Sequence, residues 1–218
     1  MGTSRERGPD PAAFDGEPTA TELWARAEAV LEHAKNGLVA SLPSGPGFGA
    51  GARWMDRALR VVRRERGAGA SRWDEAPRAF AVLSWMLGLG KYGGALLAGL
   101  LLADVAVTWS ANAGHPLELW QRTLVFVGVV PLVFYFVEVW LVFAFPAALD
   151  GEQPVSESAR LVARRGARRN LPILLAIARR MAFVPPARLR RAWATGCVAV
   201  VVWYEHERRR AGRAKAKA

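Results

Sequence analysis

Three charged residues interrupt two long apolar stretches of this chain: Lys91 and Asp104 within residues 79–109, and Glu138 within residues 124–149. A carboxylate in the middle of an apolar span costs roughly 2.5–3.5 kcal/mol on insertion scales, so it faces protein or water and calls for a partner. Glu138 therefore suits either a proton or cation site, or an acid neutralised by a cation on a neighbouring helix. Counting inward from Trp109 and Thr123, Lys91 lies 18 residues along the first run and Glu138 lies 15 along the second. That offset is about 4.5 Å at a helical rise of 1.5 Å per residue, which a long side chain covers. The spacing predicts an intramembrane pair between Lys91 and Glu138. Asp104, nearer the outer boundary, is in reach of Arg122 and reads as half of a local structural pair.

Other motifs carry less chemistry. Gly90 and Gly94 form a GxxxG pair that Ala95, Gly99 and Ala103 extend into a stripe of small residues, which lets helix backbones approach closely in lipid. Residues 88–93 also spell GxGxxG, but inside an apolar span rather than between a strand and a helix, so a dinucleotide site is excluded. The glycines of residues 44–51 lack the Gly-Lys-Ser/Thr that a phosphate loop needs. Cys197 is the single cysteine and the histidines are His33, His115 and His206, so no intrachain disulfide and no metal site is expected. No nucleophile–base pair or carboxylate pair at catalytic spacing is recognisable, and no cofactor is implied.

The two apolar runs must position these groups. Spanning a bilayer takes roughly 20 residues, and both runs exceed that. Residues 110–123, with Asn112, Gly114 and Pro116, form a short connection, which makes the runs antiparallel neighbours. Trp109 and Trp120 flank it where an aromatic belt would sit. Pro131 predicts a kink in the second run.

On the N-terminal side, residues 1–18 carry acidic residues, prolines and glycines without an apolar core, and read as a disordered lead rather than a secretory signal. Residues 19–78 read as amphipathic helices. Thr19 and Glu22 have capping-box spacing for a first helix over 19–42. After a linker at 44–51, a second helix follows at 52–66, whose apolar face of Trp54, Ala58 and Val62 is crowded by arginines. Residues 150–207 read as a basic interfacial helical region, with Asn170 as an N-cap, and residues 208–218 as a disordered basic tail. The twelve apolar residues 193–204 rise only about 18 Å, short of a span, which suits a shallow or re-entrant helix or one docked on the spans.

Lysine and arginine number 30 against 19 acidic residues, a net charge of +11. Twelve of these cations precede residue 79 and 16 follow residue 149, whereas the connection holds only Arg122. That asymmetry predicts both termini in the cytoplasm, in a membrane of the bacterial cytoplasmic type. Arg57, Arg60, Arg63, Arg64, Arg164, Arg165, Arg168 and Arg169 are the expected contacts for anionic lipid headgroups, each juxtamembrane cation contributing about 1 kcal/mol. Nucleic acid is a weaker expectation, because the arginines flank the membrane segments.

The expected fold is thus an all-α membrane protein: a two-helix transmembrane hairpin with cytoplasmic amphipathic helices on both flanks. The expected function is a non-enzymatic membrane subunit or scaffold, packed against other subunits or copies of itself. A self-associating channel or transporter component using Glu138 and Lys91 is the alternative, and a membrane-bound lipid-processing enzyme a third.

Overall fold

Apolar residues recurring every three or four positions put most of the described chain into helix, and no strand occurs among the described residues. The structure, a computed structural model, describes residue 14 and residues 16–33, 48–63 and 72–215. In chain order the helices are α1 (Ala20–His33), α2 (Phe48–Arg63), α3 (Arg72–Glu75), α4 (Pro77–Gly88), a π-turn (Leu89–Gly93), α5 (Gly94–Asn112), α6 (Leu119–Trp140), α7 (Ala144–Leu149), α8 (Pro154–Arg165), α9 (Ala167–Ala182) and α10 (Pro186–Lys215).

Two of these stretches are long and apolar enough to cross a membrane: Pro77–Asn112, continuous through the π-turn, and Leu119–Trp140. They pack on each other over α5 and α6. Lys91 meets Glu138 and, further along, Gly99 meets Val130, so positions advancing on one helix meet positions receding on the other. Glu118 and Gln121 form a capping box at the start of α6, the Glu118 N–H donating to Gln121 Oε1 at 2.8 Å.

The remaining helices wrap around α10. Its apolar residues Val198, Val201, Val202, Trp203 and Tyr204 are fully enclosed by Leu23 and Ala27 of α1, Ala58 and Val62 of α2, and Ile173 and Ile177 of α9. Residues 193–204 are thus mostly the centre of a helical bundle rather than a shallow or re-entrant membrane segment. Burying a side chain such as Val or Trp contributes roughly 1.5–3 kcal/mol each, and a helix too short for the bilayer finds that burial among its neighbours.

Several sequence expectations are corrected. The second apolar run does not continue to residue 149: α6 stops at Trp140 and α7 begins at Ala144. Ser158 of α8 secures the break, its Oγ donating to the Trp140 carbonyl at 2.8 Å and accepting from the Phe143 N–H at 3.1 Å. Pro146 in α7 cannot donate in a continuous helix, which favours the break just ahead of it. Residues 48–51, expected in a linker, form the first turn of α2, while residues 44–47 lie outside the described residues. Gly51 faces Cys197, where an added Cβ would stand 3.5 Å from Sγ. Asn170 is no N-cap; α9 starts at Ala167, after Gly166, whose φ of 93° takes the chain into the left-handed region and separates α8 from α9. The tail expected to be disordered from residue 208 is helical through Lys215. The capping box of α1 has the geometry its spacing predicts, Thr19 N–H donating to Glu22 Oε2 at 2.8 Å and Glu22 N–H to Thr19 Oγ1 at 3.2 Å. The expected continuation of that helix over 34–42 lies outside the described residues.

Candidate functional site

The ion pair at the base of the two apolar helices is built by the π-turn. An α-helical ladder interrupted by a π-turn takes in extra chain locally and re-aims the side chains around it. Leu89–Gly93 does this at Lys91, so that Lys91 joins one buried seam with Ser84 and Gly88 before it and Ala95, Gly99 and Ala103 after it. The Lys91 Nζ donates to Glu138 Oε1 at 2.8 Å, with side-chain exposures of 6% and 19%. Beside it Tyr92 stacks on Phe134, ring centroids 5.5 Å apart, and the Lys91 Nζ lies 5.1 Å from the Tyr92 ring. Glu138 Oε2 is buried and accepts no hydrogen bond among the described residues. The arrangement can hold one fixed charge pair in an apolar setting, with a single lone carboxylate oxygen left for a further donor.

The stripe of small residues divides in two. Ala95, Gly99 and Ala103 face α6, and a Cβ on Gly99 would stand 3.0 Å from the Val130 Cα. Gly90 and Gly94 point the other way, with nothing within 4 Å of where a Cβ would be. The seam between α5 and α6 therefore uses the second half of the stripe, and the GxxxG pair itself lies on the exposed face. Asp104 and Arg122 do not pair. Arg122 Nε donates instead to the Leu117 carbonyl at 2.9 Å, closing the connection between the helices.

The arginines expected at lipid headgroups also divide. Arg63 donates from Nη1 to Asp150 Oδ1 at 2.5 Å and from Nε to Glu205 Oε1 at 2.7 Å. Arg165 is buried and pairs with Glu207 at 2.5 Å beneath the Trp203 ring. Both are corrected from lipid contacts to internal ones, because a buried carboxylate holds a guanidinium more firmly than a hydrated surface does. Arg60 pairs with Asp56 at 2.9 Å and Arg169 with Glu17 at 3.0 Å, while Arg57 is half-buried. Arg164 and Arg168 are exposed, and Arg64 lies outside the described residues.

Sequence reasoning missed the cluster around Asp150. Tyr204 Oη donates to Asp150 Oδ2 at 3.0 Å, and Arg208 approaches the same oxygen at 2.8 Å. Burial works to raise the Asp150 carboxyl, but the Arg63 hydrogen bond and the charges of Arg63 and Arg208 outweigh it and hold the group below the ordinary carboxylate range. A signal was present: Glu205 and Glu207 are the two acids after residue 160 in an otherwise basic stretch. Burial also pushes the Cys197 thiol up to about 12, despite the nearby charge of Lys91, which keeps it protonated and unreactive.

Among the described residues no group of three or more His, Cys, Asp or Glu is placed to hold a metal ion. An open, shallow depression lined by Trp73, Leu83, Ala148 and Glu152 brings together no nucleophile and base. Compared with protein-family models, with curated proteins and with solved structures, the chain matches none.

Proposed function

We propose that this chain is a non-enzymatic integral membrane subunit or scaffold. In this reading α4–α5 and α6 cross a cytoplasmic membrane of bacterial type as a hairpin, and the bundle around α10 lies with both termini in the cytoplasm. The supporting observation is the bareness of the two apolar helices. In their most apolar 18-residue windows only 17% and 6% of residues are buried. A water-soluble protein rarely exposes so large a contiguous apolar surface, and a bilayer covers it without any protein partner. The 22 residues of α6 rise about 33 Å, matching a hydrocarbon core of about 30 Å.

The scaffold reading rests on where the charges go. Lys91 and Glu138 pair within one chain, which suits a fixed structural role. The open faces at Gly90 and Gly94 suit helices of other subunits, and the exposed cations suit anionic lipid.

Native mass spectrometry of the protein released gently from its own membrane tests the assignment. Different chains co-purifying in fixed ratio are expected. A closed ring of identical chains whose ion flux disappears in Glu138→Gln would replace the scaffold with a channel.

A further inference from the structure

The connection between α9 and α10 carries an exposed aromatic tip among arginines. Phe183 is 83% exposed, and Leu189 and Trp193, one turn apart on the first part of α10, are exposed as well. Residues 161–204 contain nine arginines and no acidic residue, and five of the nine fall between Arg179 and Arg191, of which Arg180 donates to Thr21 and Arg191 pairs with Glu32 of α1. Pro185 and Pro186 hold the connection short, so Phe183 stands out from the bundle rather than folding onto it.

This corner is the turn out of α9, which packs on both α10 and α6. The Met181 thioether presses on Gly196, and Cys197 lies against the first turn of α2 at Gly51. Further along α10, Tyr204 and Glu205 reach Asp150 and Arg63, at the far ends of α7 and α2. Phe143, just after α6, lies against Trp203 and Tyr204, ring centroids 5.0 and 6.0 Å apart. α9 itself packs on α6.

We propose that the α9–α10 corner is a membrane-docking wedge, with Phe183, Leu189 and Trp193 seated in the headgroup layer of an anionic bilayer and Arg179 and Arg188 on lipid phosphates. Aromatic side chains favour that boundary, and arginine stems lie along apolar surface while their heads reach phosphate. The net positive charge of the segment selects an anionic lipid surface over an acidic protein, because bare aromatic and leucine side chains accompany it. This rests on the membrane reading above and adds a second attachment, independent of the spans.

The test uses the full chain with Cys197→Ala, in nanodiscs of phosphatidylcholine and phosphatidylglycerol. An environment-sensitive fluorophore is placed at Phe183→Cys and, in a separate sample, at Leu132→Cys on α6. At position 183 the emission should shift to the blue and be quenched by nitroxide carried on lipid, not by iodide in the water. Arg179→Gln with Arg188→Gln should restore part of the iodide quenching. Iodide quenching alone at 183, or quenching by neither agent, which marks a protein cover, would overturn the wedge. If the label at 132 also escapes the lipid nitroxide, the membrane reading itself fails. If 132 is quenched by lipid and 183 is not, only the wedge does.

Discussion

Two helices of this protein carry apolar segments of similar composition and meet opposite fates. The residues of α6 stand mostly bare, whereas residues 194–204 of α10 are buried without exception. Length explains part of the difference: eleven residues span about 17 Å and 22 span about 33 Å. The flanking charges explain the rest. The apolar part of α10 is followed at once by Glu205 and Glu207, which meet Arg63 and Arg165 inside the bundle, so its end is tied to protein. The two charges of α6 sit near its ends: Arg122 donates to the Leu117 carbonyl of the connection, and Glu138, two residues before the end, is met by one cation, Lys91. Whether a hydrophobic helix is enclosed in a protein core or left bare thus depends on what its ends can pair with, as well as on how apolar it is.

The sharpest way to break this comparison is to put the same charge in both helices. Val202→Asp places an unpaired carboxylate at a fully buried site of α10 and should cost more than about 4–5 kcal/mol, unfolding the bundle. Leu132→Asp, on the bare face of α6, should leave the bundle's melting in mild detergent nearly unchanged. Its cost should show instead as poor membrane insertion, at roughly 2.5–3.5 kcal/mol. Circular dichroism melts and the membrane-bound fraction read the two effects separately. Equal loss of bundle stability in both variants would end the distinction.

Next in size is the ion pair that joins the two apolar helices. Removing one partner of a buried ion pair costs about 3–5 kcal/mol, while replacing both with apolar residues is often neutral. Lys91→Met and Glu138→Leu should each lower the melting temperature in detergent, and the double variant should recover most of the loss. Simple additivity in that cycle would mean the two groups do not interact. A smaller effect separates the two halves of the small-residue stripe. Gly99→Ala drives a Cβ toward the Val130 backbone and should cost about 1–3 kcal/mol. Gly94→Ala meets open space and should gain up to about 1 kcal/mol from helix propensity.

The helical class and the two apolar helices were legible in sequence because period and run length are local properties. Lys91 and Glu138 stand out for a related reason, since charges are rare within such runs and their offset follows from counting inward from the turn. What was not legible depends on tertiary neighbours. The stop after Trp140 is fixed by Ser158, 18 residues away, and no local pattern marks it. The π-turn at Lys91 lies among glycines that tolerate either ladder. Residues 193–204 could not be assigned to core or membrane until α1, α2 and α9 were seen to surround them. The same holds for Arg63 and Arg165: an arginine on an amphipathic helix looks alike whether it faces phosphate or Glu205.

The smallest effect concerns pH and confines itself to the bundle. The Asp150 carboxyl is held below its ordinary value of 3.8 by Arg63 and Arg208. A group whose folded pKa is depressed contributes stability that is fully present above its unfolded pKa and is lost as pH falls through the folded one. Bundle stability should therefore hold from neutral pH down to about 4 and decline below it, with Asp150→Asn flattening that decline. The α5–α6 pair does not involve Asp150 and should keep its helicity through the same range. Melting curves of wild type and Asp150→Asn between neutral and acid pH check both halves. A decline that survives the substitution unchanged would place the acid-sensitive group elsewhere and leave Asp150 as a packing residue.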